Sequence, residues 1–551
     1  MADWLNVRLM DAGRLISFWT ALHDIGKAAP SFQCRCETAR QALVGAGFVF
    51  PPGEIVSRHH SLLSAWILEK YLPELNLMPV PAAKKLILAL GGHHGVFPSF
   101  AQFNETTYRK INLGDSRWTQ IQAELFGQIR FLFNPPEPPK LKPGRVISNA
   151  FFNVLTGLFI TSDWIASNTD LFPYHAPNLS PEKYFLEASE LAFSALNRIG
   201  WIGWHPEAFQ STFSEVFPGI DQPNPIQQAV IEQYDSLQDP FLMILEAPTG
   251  SGKTEAALYT ADFWIQKQKL RGCYIAMPTQ ATSNQMFGRV KAFLETHFHD
   301  QRVNLQLAHG DALLNDEFKK MRLTGISDDD GGQTGGVNAM SWFAPRKLTL
   351  LSSFGVGTVD QTFLSVLQSR HFPLRLFGLF RKVVIFDEVL AYDVYMVEIF
   401  KRLLGWLRAI GSSVIILSAT LPLKTREELL QAFNPEAVAE SINASFPRLS
   451  LNNNQMISTL NLGTAPNRTV KLEQMDHSIE SVVNLLSSKL STGGCAAVIC
   501  NTVDRAQKIY QAVCDAGDWD SEDIILFHSR IPYCWRKKCE EEVLSHFGRL
   551  K

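Results

Sequence analysis

The sequence predicts a multidomain protein: an all-α N-terminal domain followed by α/β domains built on parallel sheets, the last of them incomplete. Three observations predict this. Apolar residues through residues 1–205 recur at helical spacing. From residue 220 onward, short continuous apolar runs alternate with helix-length amphipathic segments, as strands buried on both faces of a parallel sheet do. A glycine-rich loop lies between one of those runs and a helical segment.

In the N-terminal domain, Leu15, Ile16, Phe18, Trp19 and Leu22 mark one amphipathic helix, and Leu62, Leu63, Trp66 and Leu68 another. Pro135–Pro143 reads as a stiff surface loop inside this domain, because helical patterning resumes at Val146. The proline-containing stretch Gly219–Pro225 reads as the joint to the next domain. That domain, 220–445, carries expected strands at Phe241–Glu246, Cys273–Met277, Lys382–Phe386 and Ser413–Leu417, with a flexible insertion at Asp328–Gly336. A further unit, starting between 445 and 470 and taken as 446–551, carries expected strands at Ala496–Cys500 and Ile524–Phe527.

Composition narrows the classes. Hydrophobic residues make up 46% and charged residues 19%, which excludes a disordered chain. A net charge of -3 gives no global basic field, so any nucleic-acid contact must come from local grooves. No apolar stretch reaches the ~20 residues a bilayer span needs. Eight cysteines without a CxxC pair read as free thiols in a reducing compartment. The expectation is a soluble, cytoplasmic monomer without membrane contact.

Met243–Ala247 runs into Pro-Thr-Gly-Ser-Gly-Lys-Thr and then a helical segment, the strand–loop–helix order of a nucleotide-phosphate loop. Thr249, Gly250, Ser251 and Gly252 would close backbone N–H groups around a β-phosphate at a helix N-terminus. Lys253 would reach the β- and γ-phosphates of ATP, and Thr254 would offer its hydroxyl to magnesium. Asp387, at the end of the run Lys382–Phe386, would hold that magnesium, and Glu388 would orient or deprotonate the attacking water. Ser418-Ala-Thr420 closes the next run and matches the helicase element coupling nucleotide state to nucleic-acid grip. Thr279 and Gln280, at a strand end, are candidate contacts to a DNA backbone phosphate. Gln227 lies ahead of the phosphate loop, where superfamily 2 helicases read adenine; a structural role is an equal alternative.

The N-terminal domain carries a second constellation. His23-Asp24 ends an amphipathic helix, and His59-His60, His93-His94 and Asp163 follow. Five of the 14 histidines fall within the first 94 residues, four of them in adjacent pairs. Imidazoles and carboxylates suit borderline divalent metals, with Asp24 able to bridge a pair. The chemistry this permits is two-metal phosphodiester hydrolysis.

Together with Leu307–Gly310, Phe354–Gln361 and Ala391–Asp393, these motifs make the chain resemble the CRISPR-associated helicase–nucleases of type I interference systems. The resemblance implies an HD-type nuclease domain followed by two RecA-like helicase domains. It implies ATP-driven translocation on single-stranded DNA after recruitment by an RNA-guided surveillance complex. Carried over by motif, His23, Asp24, His60, His93, His94 and Asp163 become ligands of manganese, nickel, cobalt or iron, with His60 preferred to His59. Asp24 and Lys27 then sit at the scissile phosphate.

Three departures stand out. Residues 1–22 contain no histidine where the family has a further ligand. Leu390 replaces the histidine of the family's Asp-Glu-Val-His box, and the later helicase motifs do not follow Arg530. The expectation is therefore a chain truncated at both ends. Two alternatives stay open: a copy that binds ATP or DNA without turnover, and a phosphohydrolase acting on nucleotides with a regulatory motor. Trp342, Phe343 and Tyr392 are candidate base-stacking residues, though each reads more readily as a packing residue.

Overall fold

The computed structural model describes residues 1–551 except 52–57, 78, 107, 140–145, 175–178, 208–210, 299–300, 311, 313–314, 316–317, 322–335, 345–346, 390–392, 440–443, 454, 464–468 and 548–551. Leu390, Tyr392, most of the expected insertion at 328–336 and the end of the proline-rich loop lie outside the described residues. The chain forms two compact units, Met1–Ala465 and Pro466–Lys551.

The first unit opens with helices: α1 (Leu9–Ala21), α2 (His60–Leu68), α3 (Val80–Gly91), α4 (Ser116–Phe133), α5 (Asn149–Ala166) and α6 (Pro181–Arg198). Their starts are written in the sequence. Asp115 accepts from the N–H groups of Arg117 and Trp118, Ser148 from Ala150, and Ser180 from Lys183 ahead of Pro181. Leu15, Phe18, Trp19, Leu63, Trp66, Leu86, Phe151 and Phe159 form the helical core, fully buried.

A sheet follows. In chain order come α7 (Pro225–Ile231), β1 (Leu242–Glu246), α8 (Lys253–Gln268), β2 (Cys273–Met277), α9 (Gln280–His297), β3 (Arg302–Ala308), β4 (Gly336–Asn338) and β5 (Phe354–Thr358). Then come α10 (Phe372–Leu379), β6 (Val383–Phe386), α11 (Val394–Ala409), β7 (Ser413–Ser418), α12 (Leu423–Phe433), β8 (Val438–Ala439), β9 (Arg448–Asn453) and β10 (Met456–Asn461). The strand order is β4-β3-β5-β2-β6-β7-β1-β9-β10-β8. Pairings from β4 to β1 are parallel; β9 runs antiparallel to β1, and β10 antiparallel to β9. All four expected runs in this region form strands, and every residue of β1, β2, β6 and β7 is buried.

The helical domain and the sheet share a seam. Helix α5 turns Phe151 and Phe159 toward the helical core, and Val154 and Ile160 toward residues of α10 and the sheet. Gly157 makes this possible: a Cβ there would overlap Phe377 Cβ and the Pro373 carbonyl oxygen.

Two expectations are corrected here. The boundary at 446 cuts off β9 and β10, which belong to the first sheet; Arg448 is bound to Glu246 of β1, and the first unit runs to Ala465. In the second unit, α13 (Ile479–Leu490), α14 (Val503–Ala516) and α15 (Tyr533–Phe547) form, but no strand does among the described residues. The runs at 496–500 and 524–527 have no paired neighbour there, and a strand without a hydrogen-bonded partner has little to hold it. The packing reading of Phe343 and Trp342 agrees with the structure: Phe343 is buried in the core, and half-buried Trp342 packs against it and Trp201. No described helix is long and apolar enough to cross a membrane.

Candidate functional site

The histidine–carboxylate centre is built where three helix ends meet. His23 and Asp24 lie in the turn after α1, His59 and His60 start α2, and His93 and His94 follow α3. Asp163 projects from α5, buried. Gly26 sets the approach: a Cβ there would overlap the His60 carbonyl oxygen and the Ser64 amide nitrogen, while its own N–H donates to Ser64 Oγ at 2.9 Å. The His-Asp turn can therefore lie directly on the start of α2.

Asp24 is the centre of the cluster. Its Oδ1 lies 3.2 Å from His60 Nε2 and 3.7 Å from His93 Nε2, and its Oδ2 lies 3.4 Å from His23 Nε2 and 2.5 Å from Lys27 Nζ. Asp163 Oδ1 is 3.6 Å from His23 Nε2. His60 Nε2 also faces His94 Nε2 at 2.9 Å and His93 Nε2 at 3.3 Å.

Ring orientations follow from backbone carbonyls, which only accept. His23 Nδ1 donates to the Thr20 carbonyl at 2.7 Å, and His93 Nδ1 to that of Leu90 at 2.6 Å. In the neutral ring this leaves Nε2 as the lone-pair nitrogen, turned inward. Burial, then His23, pushes His93 down to about 3. Burial, then His94 and His60, pushes His59 down to about 4, and burial and His60 lower His94. These three rings are therefore neutral near pH 7, the metal-ligating form. His23 differs: burial disfavours its charge, but Asp163 and Asp24 outweigh burial and hold it up to about 9. Asp24 and Asp163 lie below the usual carboxylate range despite burial, chiefly because of His23.

Two triplets of ligand atoms each lie within 4.8 Å: His23, Asp24 and His93, and His59, His60 and His94. Buried Asp24 Oδ1 and His23 Nε2 have no hydrogen-bond partner. Imidazole nitrogens converging on one another and on a carboxylate fit divalent cations. Of the two adjacent rings in the second triplet, His60 is buried and faces Asp24, whereas His59 is exposed. His59 caps α2 through Nδ1, accepting from Ser61 N at 3.4 Å, with its ring centroid 4.2 Å from that of His94.

The phosphate loop lies at the C-terminal ends of β1, β6 and β7. Gly250 and Gly252 both adopt φ of 79°, a left-handed conformation that glycine takes without a Cβ penalty. Gln227 is buried; its Nε2 donates to the Gly252 carbonyl at 3.2 Å and its Oε1 accepts from Asn224 N at 2.9 Å. The side chain expected to read adenine thus braces the loop, and so does Asn224, which donates to the Ser251 carbonyl at 3.0 Å.

Lys253 Nζ donates to the carbonyls of Ala247 and Pro248 at 2.7 and 2.9 Å. Burial lowers its pKa, opposed by Asp387 and Glu388. Burial and then Glu388 raise Asp387, which accepts from Glu388 N at 2.9 Å. Glu388 itself is left-handed, φ 56°, a backbone strain typical of functional sites. Arg289 donates to Thr254 Oγ1 at 3.4 Å and to Glu255 at 2.5 Å.

Ser418 lies beside the loop: its carbonyl accepts from Ala247 N at 3.3 Å and its hydroxyl donates to the Thr420 carbonyl at 2.9 Å. Sequence reasoning missed Glu246. Its carboxylate accepts from Leu421 N at 3.0 Å, from Arg426 at 3.1 Å and from Arg448 twice at 2.7 Å, tying β1 to the Ser-Ala-Thr loop. Thr279 and Gln280 are exposed at the start of α9, where Thr279 caps the helix by accepting from Thr282 N.

Comparison with known proteins matches the chain to three family descriptions: the Cas3 HD domain over residues 1–172, DEAD/DEAH box helicase over 224–327, and the C-terminal part of CRISPR-associated nuclease/helicase Cas3 over 492–551. A CRISPR-associated endonuclease/helicase Cas3 of Thermus thermophilus is 38% identical over 497 residues, covering 89% of this chain and 53% of that protein. A crystal structure of a CRISPR-associated protein is 34% identical with a TM-score of 0.81, over 100% of this chain and 62% of its own. A structure titled T. fusca Cas3-AMPPNP gives 28% identity and a TM-score of 0.83, over 99% and 62%. The chain thus spans about half to two thirds of the length of these relatives.

Proposed function

The chain belongs to the CRISPR-associated nuclease/helicase Cas3 family, and from that membership and its two sites we propose that it acts in type I CRISPR antiviral defence as an ATP-dependent helicase and metal-dependent DNA nuclease. One observation carries the reading. Three imidazole Nε2 atoms converge on Asp24 within the same compact unit as a complete phosphate loop.

His23, Asp24, His60, His93, His94 and Asp163, with His59, would hold two divalent transition metal ions, whether manganese, nickel, cobalt or iron. Bound there, such ions polarise a phosphodiester and supply hydroxide at neutral pH. Asp24 links the two triplets, and Asp163 fixes His23. Lys27, less than half exposed beside Asp24, places a positive charge where the phosphate enters.

In the motor, the Thr249–Gly252 backbone and Lys253 bind the phosphates of ATP. Thr254 and Asp387 hold magnesium, and Glu388 orients water. Gln227 contributes through the loop it braces. Thr279 and Gln280 meet the DNA backbone, and Ser418 and Thr420 couple that grip to the nucleotide. The partners are single-stranded DNA and an RNA-guided surveillance complex, met by a monomer in the cytoplasm.

Circular single-stranded DNA with manganese, with and without ATP and magnesium, tests the proposal. Manganese-dependent nicking is expected to vanish in Asp24→Ala with DNA-stimulated ATPase retained, and the reverse in Lys253→Ala. Nicking that survives Asp24→Ala sinks the nuclease assignment. Cleavage of nucleotides but not DNA would support a phosphohydrolase instead.

A further inference from the structure

At the seam between the helical domain and the sheet, the segment leading into α10 presses on the turn that carries His93 and His94. His371 N donates to the Gly95 carbonyl at 3.0 Å. Gly95 has φ +85°, and a Cβ there would overlap the His371 ring. Arg370 Nε reaches the His94 carbonyl at 3.5 Å, and the His371 ring centroid lies 5.3 Å from that of Trp164, the neighbour of Asp163. One helical turn on, Arg375 is 7% exposed, and its Nε and Nη1 are buried without a hydrogen-bond partner. Nδ1 of His371 is likewise buried and unpartnered. After burial, Lys347, Arg370 and Arg375 are the charged side chains that most disfavour protonation of His371.

Guanidinium nitrogens shut away from water without a partner are costly, so such an arrangement suits an anion. Arginine and lysine donors suit a phosphate, which accepts from a guanidinium through two oxygens. We propose that Arg375, Arg370, His371 and Lys347 form a phosphate subsite that holds a backbone phosphodiester of a single strand beside the histidine–carboxylate centre. The inference rests on the nuclease reading for its substrate class. It gives the sheet domain a direct part in presenting the strand, because every donor comes from that side of the seam.

The test uses the full chain with Arg375→Gln, Arg370→Ala and Lys347→Ala, and a fluorescent oligo-dT as probe. Dissociation constants are read by anisotropy over a salt series, without nucleotide. Loss of a charge-assisted contact is expected to weaken binding about tenfold or more, and each variant should flatten the salt slope by about one phosphate's worth. Arg370 and Lys347 are exposed, so their variants report even if Arg375→Gln misfolds. Thermal stability separates roles for Arg375: a structural arginine lowers Tm on removal, whereas an arginine reserved for an anion leaves or raises it.

Inorganic phosphate and oligo-dT are compared as stabilisers. Protection by oligo-dT that the variants lose supports the subsite, and protection by free phosphate alone overturns the strand assignment. Unchanged affinity and salt slope in all three variants overturn the subsite even if the wild type nicks DNA. Weakened binding in a protein that never nicks DNA sinks the nuclease reading and leaves the phosphate site standing.

Discussion

At the scale of single residues, Glu246 shows how much one side chain can organise. Its carboxylate is fully buried and satisfied by two arginines and one backbone N–H. Burial would raise its pKa, but Arg448, Leu421 N and Arg426 outweigh burial and hold it below its usual 4.5. A depressed folded pKa gives stability that is present above the unfolded pKa and lost as pH falls through the folded one. Glu246→Gln is therefore expected to destabilise the fold at pH 7 by about 3–5 kcal/mol, as other broken buried pairs do, and so to lower Tm markedly. The gap between variant and wild type should shrink below about pH 4; thermal scans across pH check it, and a constant gap refutes the ion-pair account. Gly26→Ala is expected to push the His-Asp turn off α2, costing about 1–3 kcal/mol and most manganese-dependent cleavage, measured together by Tm and nicking. Glu246 was hidden in the sequence because it ends an apolar run and looks like part of a strand. His23, Asp24, His60, His93 and His94 were legible because paired ligand types stand out by themselves. Which of His59 and His60 turns inward was less so, since two adjacent rings at a helix start are told apart only by the direction the helix gives them; the buried one is His60.

Among elements, the four strands read as continuous apolar runs because both faces of β1, β2, β6 and β7 are covered. β3 escaped that reading since it buries Asn304 and Gln306, which bond to each other at 2.9 Å. The β9–β10 hairpin escaped it too: its Asn-rich turn looks like a linker, and its place is fixed by partners distant in sequence, the β1 ladder and the contact of Arg448 with Glu246. The pairing of α5 with α10 was equally hidden, because it depends on a glycine facing a helix from another domain. Gly157→Val is expected to prise these helices apart, since the new side chain meets backbone at Pro373 as well as Phe377. Hydrogen exchange should rise in Phe372–Leu379 and around Asp163 while Lys253–Gln268 stays protected. Unchanged exchange in α10 would mean that the seam does not depend on this close approach.

For the molecule as a whole, the consequential fact is that both candidate sites lie in one compact unit whose domains share core residues. Val154 and Ile160 of α5 pack in the same cluster as Leu374 and Leu376 of α10 and Ile244 of β1. A ligand that binds only the folded state stabilises it by RT ln(1 + [L]/Kd), about 2.7 kcal/mol at a hundredfold excess over Kd. If the shared core makes unfolding of Met1–Ala465 cooperative, manganese and a magnesium–nucleotide complex must shift the same calorimetric transition. Their effects should combine, because neither ligand touches the other's residues. Asp24→Ala should abolish the manganese shift and keep the nucleotide shift; Lys253→Ala should do the reverse. The second unit, Pro466–Lys551, has its own contacts, and a transition belonging to it should move with neither ligand. Two ligands moving two separate transitions would show that the α5–α10 seam is a contact between independently folding domains. The strand-presenting subsite, whose donors all come from the sheet side, would then lie beside the histidine–carboxylate centre only when the domains are docked.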